Sequence, residues 1–178
     1  DDERKQVVKQ QDLWLDIGAR NKQEVLESIR VGDAVTLQLG YQEMRNGLAN
    51  SPGMDNKTGL WVVIEALRRA KQRSPRCAVF AVSTVQEEIG LRGAQTSAFG
   101  IDPHLGIAVD VTHATDYPTV NQAQHGDIKL DGGPAITHGG PNHAEVVARL
   151  EHIAEARKIP LQHEAISSTS GTDTDVIF

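Results

Sequence analysis

The chain of 178 residues has a single cysteine, Cys77, so an internal disulfide framework is excluded. It has no apolar run near the roughly 20 residues that a membrane-spanning helix needs. The first residues, Asp1-Asp2-Glu3-Arg4-Lys5, lack both an initiator Met and the apolar stretch of a signal peptide, which suggests a processed chain or a fragment. Basic charge is also short: 18 Lys and Arg against 24 Asp and Glu give 18 − 24 = −6, which argues against nucleic acid or an anionic membrane as partner. Gly-x-Ser-x-Gly, P-loop, Gly-x-Gly-x-x-Gly and Cys-x-x-Cys patterns are missing, leaving serine-hydrolase, nucleotide-binding and zinc-finger readings without support. Cys77 lies in the apolar run Cys77-Ala78-Val79-Phe80-Ala81-Val82, which predicts a buried thiol in a reducing compartment, with the cytoplasm as default.

What is present is ordinary for a globular chain: 39% hydrophobic residues and 16 glycines. Leu13-Trp14-Leu15-Asp16-Ile17 and Ala34-Val35-Thr36-Leu37-Gln38-Leu39 alternate apolar and polar residues, the pattern of strands with one wet face. Asn21 is placed to cap a short helix carrying Val25, Leu26 and Ile29. Residues 40–53 read as a boundary loop. Beyond it, Leu60, Val63, Ile64 and Leu67 follow the spacing of an amphipathic helix, and 77–82 and 105–109 read as strands buried on both faces. Val146, Leu150, Ile153 and Ala154 mark another helix after Pro141. Residues 54–178 are therefore expected to be α/β around a mostly parallel sheet with helices on both faces. Asp131-Gly132-Gly133-Pro134 and His138-Gly139-Gly140-Pro141 read as two turns.

In an open parallel sheet, ligands bind beyond the carboxyl ends of the strands, where this sequence concentrates acids. Asp55 precedes the helix at 58–71, Glu87 and Glu88 follow the strand at 77–84, and Asp110 ends the strand at 105–109. Singly they read as a helix cap, a solvated loop and a turn former. Converging on one crevice, four carboxylates repel unless cations neutralise them, and divalent metals are the natural partner. Side chains of adjacent Glu87 and Glu88 point different ways, which lets one bind a metal while the other takes a proton from water. The Gly171-Thr172-Asp173 turn presents either backbone N–H groups or a carboxylate to a substrate, or else caps a helix.

Met54-Asp55-Asn56-Lys57-Thr58-Gly59, Val85-Gln86-Glu87-Glu88-Ile89-Gly90-Leu91-Arg92-Gly93-Ala94, Val109-Asp110-Val111-Thr112-His113 and Ser170-Gly171-Thr172-Asp173 closely resemble the glutamyl-aminopeptidase family of dinuclear metallo-aminopeptidases. These are cytosolic, form tetrahedral assemblies and are often labelled cellulase or endoglucanase. Leu15-Asp16-Ile17-Gly18-Ala19 and Val31-Gly32-Asp33 also resemble the end of that family's inserted dimerisation domain. The resemblance implies residues 1–50 as the C-terminal part of that β-rich domain and 51–178 as an incomplete catalytic domain. It further implies two divalent ions (zinc, cobalt or manganese), with Asp55 bridging both, Glu88 and Asp110 each holding one, and Glu87 as general base. Peptide substrates and a dimer-based homo-oligomer, up to a dodecamer, follow from the same resemblance. The family also uses a histidine in an upstream His-x-Asp motif and another near the C-terminus. Neither has a counterpart here, so residues 1–178 look like the middle half of a member, expected to bind metal weakly and show little activity alone. Among the seven histidines, His113 reads as a neighbour of the ligands, while His138 and His143 read as loop residues. His104, His125, His152 and His163 have no motif context.

Two other functions compete with the peptidase. A glycosidase needs carboxylates on opposite sides of a sugar, which neighbouring Glu87 and Glu88 serve poorly. A non-catalytic scaffold is favoured by the missing histidines.

Overall fold

The computed structural model describes residues 5–177. The chain divides into two compact units, Asp1–Gly40 and Tyr41–Phe178. The first contains helix α1, Lys22–Ser28. As expected, Asn21 caps it: its side-chain oxygen accepts from the Glu24 N–H at 3.1 Å, and the Glu24 carboxylate accepts in turn from the Arg20 N–H at 2.8 Å. Two donors of the first turn region are thus satisfied by short polar side chains. The segments 13–18 and 34–39 form no ladder among the described residues, contrary to the strand reading. Their apolar side chains face solvent, Trp14 with 82% of its surface exposed.

The second unit opens with a two-residue antiparallel hairpin, β1 (Gln42–Glu43) with β2 (Ala49–Asn50). Helix α2, Met54–Gln72, covers the 60–67 periodicity. Its half-buried Glu65 accepts from Arg68 and Arg69 at 2.6–2.7 Å, which holds the Glu65 carboxyl down to about 2. After it come α3 (Arg92–Ile101) and the short α4 (Gln122–His125). The last part is a β-α-β unit in which β3 (Ala135–Gly139) leads through α5 (Ala144–Ala156) to β4 (Gln162–Ile166). β3 and β4 pair in parallel with Ala135 opposite Gln162 and His138 opposite Ala165. A helical crossover between parallel strands is the signature of an α/β fold.

Where the sequence predicts doubly buried strands, at 77–84 and 105–109, the chain is without ladder partners among the described residues. Phe80 is 62% exposed, and Cys77, expected to be buried, is exposed as well. The reason is physical: an apolar run records what a segment needs to bury, whereas a strand exists only when a second segment donates to it. The buried core is small, with Ala94, Ile128, Ile136 and Ala154 as its apolar members. Buried Thr115 ties its centre, its hydroxyl accepting from the Ile128 N–H at 2.8 Å and donating to the Gly126 carbonyl at 2.9 Å.

One close approach fixes the start of α2. The Asn56 side-chain amide donates to the Val109 carbonyl at 2.7 Å, and its oxygen accepts from the Gly59 N–H at 3.0 Å. A Cβ at Gly59 would collide with the Asn56 side chain and lie 2.8 Å from the Val109 carbonyl oxygen. Gly59→Ala is therefore expected to destabilise the second unit by about 1–3 kcal/mol, in the range of overpacking substitutions. Denaturant unfolding measures it, and an unchanged midpoint would contradict the contact.

Candidate active site

The Asn56 bridge matters because of its neighbours. Asp55 precedes Asn56 and Asp110 follows Val109, so the hydrogen bond to Val109 brings the start of α2 beside the end of the 105–110 segment. A second close contact places the two glutamates. The Gly93 N–H donates to the Val85 carbonyl at 2.9 Å, and a Cβ at Gly93 would collide with the Val85 backbone nitrogen. The loop carrying Glu87 and Glu88 is thereby folded back on the first turn of α3. Thr84, just before it, donates its hydroxyl to Asp173 at 2.6 Å.

These contacts bring Asp55, Glu87, Glu88, Asp110 and Asp173 to one cleft of about 1090 Å³. The four acids expected from sequence all line it. Asp173, from the turn expected to present N–H groups or a carboxylate or to cap a helix, lines the cleft beside them. Thr172 caps the 3-10 turn Asp173–Val176 through its hydroxyl, and the Asp173 carboxylate faces the acids. Asp175 instead organises the turn, accepting from the N–H groups of Ser170 and Gly171 and from the Ser170 hydroxyl, which lowers its pKa.

The field in the cleft is strongly negative. Burial, then repulsion from Asp110, Glu88, Asp173 and Asp55, raises the Glu87 carboxyl above its ordinary range. Asp110 is exposed by area but stands in the cleft mouth, where neighbouring atoms displace part of its water. That desolvation raises its pKa, the Val111 N–H opposes the shift, and Asp55 and Asp173 add to it. Among the described residues no Lys or Arg forms an ion pair with any of the five acids. Asp173 Oδ1 is buried and has no hydrogen-bond partner. Uncompensated carboxylates around an orphaned oxygen fit divalent cations in charge and in donor chemistry. The oxygens are spread, however: no three cleft carboxylates come within 4.8 Å of one another.

His113, expected beside the ligands, is exposed and does not line the cleft. His104 does line it. His138, read as a loop residue, stands on β3, where its ring contacts His163 of β4.

The repulsion has a consequence for stability. A carboxyl whose folded pKa lies above its unfolded value binds protons more readily when folded, so stability rises as pH falls through the folded pKa toward the ordinary value of about 4. Glu87 and Asp110 are both of this kind. The contributions of Glu65, held down to about 2, and of Asp175, also lowered, run the other way but are lost only as pH falls below the ordinary carboxylate value of about 4, so they do not mask them. Without divalent ions, the chain is expected to unfold at higher temperature in weak acid than at neutrality, and Asp110→Asn to flatten the difference. Thermal melts with a chelator present test this; a steady loss of stability from neutrality downward would contradict it.

The fold is α/β and the candidate site is a cleft lined by five carboxylates. The family description "M42 glutamyl aminopeptidase" matches residues 1–178. The chain belongs to this family of metal-dependent aminopeptidases. A protein of Acetivibrio thermocellus with an aminopeptidase name is 37% identical over 164 residues, which is 90% of this chain and 48% of that protein. The lysyl aminopeptidase of Pyrococcus furiosus is 31% identical over 93% of this chain and 46% of its own length. Among solved structures, the TET aminopeptidase of the marine sediment archaeon Thaumarchaeota archaeon SCGC AB-539-E09 superposes with a TM-score of 0.84. It is 32% identical and matches over 98% of this chain and 50% of that one. The Pyrococcus horikoshii TET1 peptidase, which can assemble into a tetrahedron or a large octahedral shell, gives a TM-score of 0.68 at 25% identity, over 89% of this chain and 47% of its own. The chain thus spans about half the length of the curated relatives it matches.

Proposed function

We propose that the protein is a metal-dependent aminopeptidase that removes N-terminal residues from short peptides. The observation that carries this reading is the convergence of Asp55, Glu87, Glu88, Asp110 and Asp173 on one cleft, where among the described residues none of them forms an ion pair with Lys or Arg although Lys57 also lines it. Asp55, Glu88 and Asp110 are the residues to hold two divalent ions of the zinc, cobalt or manganese class. When bound, such ions polarise the scissile carbonyl and acidify water. Glu87 is the proton carrier: it takes a proton from water and returns it to the leaving amine. The negative field of the cleft attracts the protonated N-terminus of a peptide, which suits removal of terminal residues.

Residues 1–50 serve as the end of an inserted dimerisation domain, and 51–178 as catalytic-domain sequence. The assemblies of the TET relatives support a homo-oligomer, and dimers are its proposed building unit. No described helix is long and apolar enough to cross a membrane, and the cytoplasm is the proposed location.

The test is hydrolysis of aminoacyl-p-nitroanilides and of a cellulose oligomer by the full-length protein, before and after metal removal. Chelator-sensitive release of p-nitroaniline alone supports the proposal. Cleavage of the oligosaccharide, or no metal-dependent hydrolysis of either, overturns it in favour of a glycosidase or a scaffold.

A further inference from the structure

Away from the cleft, three side chains of the β3-α5-β4 unit meet at one point. In the parallel register Ile136 stands opposite His163 and His138 opposite Ala165, so His138 and His163 are diagonal neighbours on one face of the pair. Glu164 belongs to the opposite face, where it accepts from Thr112 and Thr137. Glu151 of α5 reaches the histidine face. Buried Ile136 and Ala154 hold helix and strands in the small core, which sets the reach of the three polar side chains.

The donor atoms form a nearly regular triangle. His138 Nε2 is 3.0 Å from His163 Nδ1, and a single Glu151 oxygen, Oε1, is 3.6 Å from the first and 3.5 Å from the second. Nitrogen and oxygen ligands about 2.0–2.1 Å from a tetrahedral ion stand roughly 3.3–3.4 Å apart, close to these spacings. Among the described residues this is the one group of three such ligand atoms gathered within 4.8 Å. One ring's N–H donates to the other ring's lone pair, and the Glu151 oxygen lies beside both nitrogens without a shorter contact to either. None of the three residues lines the acidic cleft.

We propose that His138, Glu151 and His163 form a second metal site, which takes a borderline divalent ion of the zinc class. Two imidazoles and a carboxylate are the donor set that such ions prefer over calcium or magnesium. Three protein ligands leave a fourth position for water. The ion ties α5 to both strands, so its role is to fasten the β-α-β unit, and the site stands independently of the peptidase reading.

The probe is cobalt(II), added to the chelator-stripped chain and followed by its visible absorption and by calorimetry. Cobalt is expected to bind with the intense visible bands of a four-coordinate ion, and zinc to displace it. His163→Gln and His138→Gln are each expected to weaken binding by at least ~100-fold, no less than the loss of an outer-shell partner produces. The combined Asp55→Asn, Glu88→Gln variant should keep the signal. All three proposed ligands keep 35–57% of their side-chain surface exposed, so these changes remove no core, and circular dichroism checks the fold. Glu151→Gln provides a further variant on a separate element. Absence of binding, binding unaltered by the histidine substitutions, or loss of the signal in the Asp55, Glu88 variant would each overturn the proposal.

Discussion

Replacing Glu87 by glutamine in the full-length protein is expected to lower kcat for peptide hydrolysis by ~10²-fold or more while metal content stays near that of the unmodified protein. Glutamine keeps the shape of the side chain and removes only its capacity to take up and return a proton. In the ion-free cleft, burial and then four neighbouring carboxylates raise the Glu87 carboxyl; bound cations would offset the repulsion and leave burial, the largest cause, to act. Glu88, next in sequence, faces the same cleft but has the proposed role of ligand. Glu88→Gln should therefore reduce metal content as well as activity. Metal analysis beside steady-state kinetics separates the two. Equal loss of metal from both variants would reverse or abolish the assignment.

The site was legible in the sequence to the extent that chemistry repeats locally. Asn21, the apolar spacing at 60–67 and the 144–156 helix are decided by residues within a few positions of one another, and the structure has each element. The convergence of Asp55, Glu87, Glu88 and Asp110 was expected from acids at the ends of predicted elements, and the structure reaches it through the Asn56–Val109 and Gly93–Val85 contacts. What could not be read depends on pairing at a distance. Segments 77–84 and 105–109 carry the composition of buried strands, but no described residue supplies a ladder, and Cys77 is left exposed. His138 and His163 are 25 residues apart in the chain and meet only because β3 and β4 pair in one register. A shift by one residue would send His163 to the other face. Asp173 joined the cleft through Thr84, 89 residues away, by a hydrogen bond that no local pattern announces.

Asp55→Ala is expected to move stability in opposite directions according to whether divalent ions are present. In the ion-free protein the Asp55 charge helps to raise both Glu87 and Asp110, so its removal relieves repulsion and should raise the melting temperature at neutral pH. The fold itself is not put at risk, because the tie to the 105–110 segment is made by the Asn56 amide and not by Asp55. With zinc or cobalt added, the unmodified protein gains stability as the ion binds the folded state, by about 2.7 kcal/mol at a hundred times the dissociation constant. The variant, deprived of the carboxylate proposed to bridge two ions, should gain little of this, and its peptidase activity should fall to background. Melting curves of both full-length proteins, with chelator and with a series of zinc concentrations, expose the crossing. If the variant melted lower than the unmodified protein under chelator, Asp55 would be a structural cap. If it gained as much from zinc, the ions would be held by other residues.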